Sequence, residues 1–310
     1  MTAVMSTPSS VLDSLNLSTG KKVRLQRLMY QFGPGNGKLM ILPIDQGLEH
    51  GPVDFFDDNN NVMACADPEF QYKLAMAGGF SAIALQIGLA EKYYHQYAGK
   101  VPLVLKLNGK TCIPSDDEAF SPLNATVEDA VRLGADAVGY TLFVGSPRQD
   151  EDLAQFREVR REAEKYGMPI IMWAYPRGKD IDKKGGKNSL YAVQYAARVG
   201  AELGADIVKV NYPETPSMSD PKRSTYPAPY NEIDLSPLDA ACSVVKAAGS
   251  KTKVIFSGGS KVSHDELYGN VHTAFQSGAI GLIFGRNMWQ RPMDEAVDIT
   301  KNVHEIFGQY

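Results

Sequence analysis

Cysteine is scarce in this chain of 310 residues: Cys65, Cys112 and Cys242 lie far apart, with no Cys-x-x-Cys pair. Neither a disulfide framework nor a thiolate zinc site is indicated. The five histidines are scattered without His-x-x-x-His or His-x-His spacing, a poor fit to a metal mechanism. Only His50 stands near a strand-end loop. No apolar run approaches the ~18 residues of a membrane span. Residues 1–17 lack the basic stretch and apolar core of a signal peptide. Positive charge is not in excess either: the formal net charge of −4 argues against nucleic-acid or anionic-membrane binding driven by overall charge. No Gly-x-Gly-x-x-Gly follows the first apolar strand, and there is no Gly-x-Ser-x-Gly elbow. A soluble protein in a reducing, cytoplasmic setting is the expectation.

What is present is a recurring phrase: helix, glycine, small residue, apolar strand. It begins at Gly79, Gly134, Gly204 and Gly278, where each glycine fits the left-handed position that ends a helix. The copies lie roughly 55–75 residues apart, about twice the scale of one strand–helix–strand unit, so each interval hides another strand. Apolar runs at 39–45, 82–88, 102–108, 137–145, 169–175, 206–212, 253–259 and 281–288 supply the strands. Leu153, Phe156, Val159 and Ala163 form one helical stripe between them, and Leu190, Val193 and Ala197 another. Ser263 to Glu266 reads as a capping box opening a helix that ends near Gly278. Strand–helix alternation with apolar strands predicts an α/β fold, most simply a single-domain (β/α)8 barrel, or TIM barrel, over residues 39–310. An open doubly wound sheet is the alternative. Residues 1–38 form an N-terminal extension, expected to cover the barrel bottom or to serve subunit contacts. Residues 213–234 form a Pro/Ser/Tyr-rich loop too long for a plain connection, expected as a lid or as a surface insertion.

Lys209 lies inside the run Asp-Ile-Val-Lys-Val-Asn-Tyr, otherwise built as a buried strand. A buried ammonium is costly unless it is paired, neutralised or used, and an amine with a depressed pKa attacks carbonyls. Alternatively, the lysine reaches past the strand end to water. Strand parity sharpens the choice, because side chains two apart share a face and barrel active sites sit at C-terminal strand ends. Lys209 pairs with Asn211, Trp173 with Tyr175, Pro43 with Asp45, and Lys106 with Val104 and Asn108. Lys106 would supply a second cation that depresses the pKa of Lys209. Taken singly, Asp45 is equally a turn residue and Tyr175 a half-buried core tyrosine.

Two loops suit an anion. Ser257, Gly258, Gly259 and Ser260 follow the seventh strand, and Gly285 and Arg286 the eighth, where many barrels hold phosphate. Arg286 offers a bidentate partner. Arg177, ahead of Lys179, Lys183, Lys184 and Lys187, is the candidate for a second phosphate across the mouth.

These motifs together resemble the class I fructose-bisphosphate aldolases of the archaeal/bacterial DhnA type. The matching segments are Leu-Pro-Ile-Asp-Gln-Gly-Leu-Glu-His-Gly (42–51), Trp-Ala-Tyr-Pro-Arg-Gly (173–178), Val-Lys-Val-Asn-Tyr (208–212), Ser-Gly-Gly-Ser-Lys (257–261) and Phe-Gly-Arg-Asn (284–287). The resemblance implies a (β/α)8 barrel, a homo-oligomer, and reversible cleavage of fructose 1,6-bisphosphate in glycolysis and gluconeogenesis without a metal or organic cofactor. It implies Lys209 as the Schiff-base lysine, Tyr175 as the proton-transfer residue and Asp45 as a polar partner. Phosphate binding falls to residues 257–260, Gly285, Arg286 and Arg177, with Trp173 and Lys106 lining the substrate site. The extension, the 213–234 loop and Ser260, where relatives often carry proline, depart from the family pattern. A related synthase, transferase or thiolase on another phosphorylated keto compound, and a non-catalytic sugar-phosphate sensor, are the alternatives.

Overall fold

The computed structural model describes residues 11–310, apart from the side chain of Gln46; the polar start of the extension, residues 1–10, lies outside the described residues. Eight parallel strands close into a ring: β1 Leu39–Pro43, β2 Ala82–Gln86, β3 Leu103–Lys106, β4 Ala137–Val144, β5 Ile170–Pro176, β6 Ile207–Val210, β7 Lys253–Ser257 and β8 Gly281–Ile283. β1 pairs with both β2 and β8, so the barrel is closed and the open-sheet alternative falls. Helices follow in chain order: α1 Thr19–Gln26, α2 Gln46–Glu49, α3 Pro68–Ala77, α4 Ile87–Tyr93, α5 Val127–Arg132 and α6 Gln149–Tyr166. After these come α7 Lys179–Asp182, α8 Leu190–Leu203, α9 Pro237–Ala248, α10 His264–Gln276, α11 Arg286–Trp289 and α12 Met293–Phe307.

Strand alternation divides the apolar residues between two cores. Ile41, Ala84, Val104, Ile171, Ile207 and Ile255 point into the barrel, whereas Leu42, Leu85, Leu105, Met172, Val208 and Phe256 pack beneath the helices. The four repeat glycines carry φ of +61°, +69°, +97° and +90° at Gly79, Gly134, Gly204 and Gly278, the left-handed turns that end each preceding helix. Gly139 is required for a different reason. A Cβ there would lie 2.7 Å from Lys106 Cδ and 2.8 Å from Trp173 Cζ3. Gly139→Ala is expected to cost about 1–3 kcal/mol by overpacking. A urea midpoint unchanged from wild type would contradict this.

Three expectations need correction. The eighth apolar run does not stay extended to Met288: Gly285 breaks it and Arg286–Trp289 turn into a helix, with Met288 N–H donating to Gly285 O at 2.8 Å. A short buried apolar run carries no period that separates strand from helix. On α6 the stripe keeps Phe156, Val159 and Ala163, but Leu153 is exposed and Asp152 is buried instead. Its carboxylate accepts from Tyr140 Oη at 2.7 Å and from the Phe143 N–H at 3.0 Å. Apart from the fifth, which the strand outlasts by one residue at Pro176, the other strand readings overran at their C-terminal ends.

The described part of the extension floors the barrel. Leu12, Leu25, Leu28 and Met29 join the interior core, and Arg27 Nε reaches Asp136 Oδ1 at 2.8 Å. Lys21 pairs with Asp206 at 3.1 Å. Asp136 and Asp206 sit just before β4 and β6, so these contacts gather the N-terminal strand ends. The 213–234 loop is folded around Arg223, whose guanidinium donates to the carbonyls of Pro216, Tyr230 and Ile233. It leans on α8, with Tyr230 Oη donating to Gln194 at 2.8 Å. Among the described residues it makes no hydrogen bond or ion pair with Lys209 or Tyr175, which favours the surface-insertion reading.

Candidate active site

The C-terminal ends of β1, β3, β4, β5 and β6 bring their inward residues together. Lys209 is opposite Trp173 in the β5–β6 register, and its Nζ lies 4.9 Å from the Trp173 ring and 5.3 Å from the Tyr175 ring. Among the described residues no group accepts a hydrogen bond from it. Burial brings its pKa down to about 8; Asp45 works against the drop and Lys106 adds to it. A measurable fraction of this lysine is therefore an uncharged amine near neutrality.

Lys106 is the opposite case. It is wholly buried, and its Nζ donates to Glu49 at 2.9 Å, Asp45 at 3.2 Å and Thr141 Oγ1 at 2.8 Å. Burial opposes its charge, but Glu49 and Asp45 outweigh burial and hold its pKa above the ordinary lysine value. Burial likewise pushes the Asp45 carboxyl up, while Lys106 and Lys209 pull it lower still, so it stays ionised. One lysine is thus a fixed cation and its neighbour a poised amine. Tyr175 is held far above the usual phenol range by burial and by the Glu49 and Asp45 charges.

Trp173 and Lys106, expected among substrate-binding groups, have no exposed surface. Lys106 Nζ and Lys209 Nζ lie 4.7 Å and 4.9 Å from the Trp173 ring. Arg177 sits over the Tyr175 ring at 5.2 Å and donates through Nε to Asp116 at 2.8 Å; Asp116 also takes Lys110 at 2.9 Å. Lys179 and Lys183 pair with Asp117 and Asp180 on the surface, as solvated loop lysines do.

Across the mouth, the 257–260 loop meets the turn after β8. Gly258 has a different task from the one expected: its N–H is spent on Ile283 O at 3.0 Å, and a Cβ there would lie 2.7 Å from Phe284. Gly259 takes φ +65°, a turn that favours glycine. The N–H groups of Ser260 and Gly285 have no hydrogen-bond partner among the described residues. Arg286 lies 4.0 Å from Asp54 and close enough to Lys209 for its charge to help lower that lysine's pKa.

Sequence reasoning missed three residues that hold this arrangement, Glu49, Thr141 and Asn287, and gave a fourth, Asn108, a face but no partner. Glu49 comes within reach of Lys106 only because α2 turns it back. Thr141 was legible, since it shares the inward parity of Ala137 and Gly139. Asn108 bridges β3 and β4, accepting from Thr141 N–H at 2.7 Å and donating to Ser121 O at 3.1 Å. Asn287, fully buried, donates to Gly258 O at 2.7 Å and Ser260 O at 2.9 Å and accepts from Val262 N–H at 2.9 Å.

Residues 39–291 match the DeoC/LacD family aldolases. The chain is 40% identical over 256 residues to the class 1 fructose-bisphosphate aldolase of Thermoproteus tenax, covering 82% of this chain and 84% of that protein. It is 41% identical over 256 residues to the class 1 fructose-bisphosphate aldolase of Halobacterium salinarum, covering 83% and 86%. Among solved structures, one similar to it is an archaeal fructose-1,6-bisphosphate aldolase with its catalytic lysine covalently bound to the carbinolamine intermediate of the substrate. That structure aligns with a TM-score of 0.72 and 34% identity over 91% of this chain and 98% of the other.

Proposed function

The chain belongs to the DeoC/LacD aldolase family, and on that premise we propose that Lys209 is the Schiff-base nucleophile of a class I fructose-bisphosphate aldolase. The protein reversibly cleaves fructose 1,6-bisphosphate to dihydroxyacetone phosphate and glyceraldehyde 3-phosphate. The observation that carries the residue assignment is the buried, hydrogen-bond-free amine of Lys209, beside Tyr175 and a permanent Lys106 cation.

Neutral Lys209 adds to the C2 carbonyl and water leaves, giving an iminium. The iminium draws the C3–C4 bonding pair into an enamine as that bond breaks. The C4 hydroxyl proton passes to Tyr175 Oη, directly or through one water, as the phenol gives its own proton to solvent, and glyceraldehyde 3-phosphate departs. The enamine is protonated at C3, and hydrolysis returns the lysine with dihydroxyacetone phosphate. Asp45, held by Lys106, orients substrate hydroxyls. Ser257, Gly259, Ser260, Gly285 and Arg286 take one phosphate and Arg177 the other, fixing the ketose for attack. Residues 39–310 form the catalytic unit on the floor made by residues from the 1–38 extension. The same reading includes a cytoplasmic setting, where sugar phosphates occur, and a homo-oligomer, which sedimentation equilibrium tests.

The test is coupled detection of triose phosphates from fructose 1,6-bisphosphate in excess chelator, with borohydride reduction and mass mapping of the adduct. Modification on any side chain other than Lys209 overturns the assignment.

Two results follow from the geometry. Because the amine must be uncharged to attack, kcat/KM should climb about tenfold per pH unit below the Lys209 pKa and flatten above about 8. A profile flat from about pH 6 to 9 contradicts this. Asn287→Asp places a carboxylate against two carbonyls and releases the 257–262 loop. KM for the bisphosphate should rise roughly 10–100-fold with kcat little changed, as expected for about 1–3 kcal/mol of lost positioning. An unchanged KM would remove Asn287 from phosphate binding.

A further inference from the structure

Behind the strand end that carries Asp45, on the outer side of the barrel, lies a second cavity of about 280 Å³. It is wedged between Ile44 and Leu48 on one side, Phe55 and Trp289 on another, and Gln71 and Leu89 on α3 and α4. Ile44 points away from the barrel interior, so the cavity is separate from the space around Lys209. Its volume far exceeds the ≈ 30 Å³ share of one water.

The polar atoms of its wall are accounted for, with one exception. Gln86 donates to Asn108 O at 3.2 Å and accepts from Asn124 at 2.7 Å. Trp289 Nε1 donates to Pro43 O at 3.1 Å. Gln71, 2% exposed, donates through Nε2 to Cys65 O at 3.0 Å. Since that carbonyl only accepts, the amide orientation is set and Oε1 is left as an acceptor. Gln71 Oε1 has no partner among the described residues. A buried acceptor in this state calls for a donor.

We propose that this cavity is a binding site for a flat, uncharged aromatic or heteroaromatic molecule of one or two rings carrying a single N–H or O–H. The donor meets Gln71 Oε1. The ring system packs against Phe55 and Trp289, which both line the cavity with their rings 5.9 Å apart at 55°. The molecule is uncharged because no lining residue carries a charge to pair with, and a bare charge is costly there. Binding is non-covalent: burial lifts the Cys65 thiol to about 11, so it stays protonated. Gly47 and Leu48 belong to α2, the same short helix that presents Glu49 to Lys106. An occupant therefore braces α2 from behind and acts on the catalytic charges without touching them.

The experiment titrates the whole protein with indole and with benzothiophene, its isostere lacking the N–H, following ligand resonances by NMR. One saturable indole site is expected, roughly tenfold tighter than benzothiophene, a difference of about 1.4 kcal/mol. Gln71→Leu should erase that preference and leave benzothiophene binding in place. Amide exchange at Gly47 to Glu49 should slow when indole is bound. The two probes on the unaltered protein decide the matter even where the variant fails to fold. Absence of saturable binding, equal affinities, a preference surviving in Gln71→Leu, or displacement of indole by fructose 1,6-bisphosphate would each overturn the site.

Discussion

Alanine at Lys209 is expected to bring aldol cleavage to background, a loss on the order of 10⁶-fold or more, because the covalent route disappears entirely. The substitution should leave the fold intact or firmer. It removes a buried amine whose charge is opposed by desolvation and which makes no hydrogen bond among the described residues. Borohydride in the presence of dihydroxyacetone phosphate should then attach nothing to the protein. The comparison is informative because Lys106, three strands round the barrel on β3, lies over the same Trp173 ring and is likewise buried. Its three hydrogen bonds and its two carboxylate neighbours keep it protonated, so it cannot stand in for the missing nucleophile. An adduct on Lys106 in the Lys209→Ala protein would refute this division of roles.

The second large effect belongs to Tyr175→Phe. Burial and the charges of Glu49 and Asp45 keep the phenol protonated, well above its usual range, so it takes up a substrate proton only as it passes its own O–H proton on. That exchange suits a group that relays the C4 hydroxyl proton as the aldehyde departs. Removing the hydroxyl should lower kcat by roughly 10²–10⁴-fold. Iminium formation depends on Lys209, so borohydride trapping should persist in the variant. Stopped-flow quenching separates the two steps. Equal loss of trapping and of turnover would move Tyr175 from proton transfer to the building of the site itself. Arg177 lies over the same ring and is tied to Asp116, so phenylalanine keeps the stacking surface and isolates the hydroxyl.

Several parts of this architecture were legible in the chain because they obey short-range rules. The repeat glycines end helices, and each adopts the left-handed backbone that only glycine enters freely. The two-residue alternation placed Val104, Lys106 and Asn108 on one face, and Trp173 with Tyr175 on another, before any contact was known. Burial of Lys209 was readable from its apolar flanks. The errors have equally local causes. Leu153 was read as core and Asp152 was passed over, because periodicity counts apolarity and takes no account of a carboxylate satisfied by Tyr140. The eighth strand was drawn too long, because Phe284 to Met288 are buried in either conformation.

By itself, then, the sequence determined the alternation of strands and helices, the inward parity of the polar strand ends, and the one lysine set among apolar neighbours. These depend on residues close along the chain. Closure of the barrel, the sealing of its floor by Leu25, Leu28 and Met29, and the return of Glu49 onto Lys106 were decided only in three dimensions. So was the difference between the two lysines. Both are buried on inward strand faces, and what separates a fixed cation from a nucleophile is which one receives the carboxylates. Electrostatic energy depends on distances across the barrel, between groups 57 and 61 positions apart, and no local pattern records those distances.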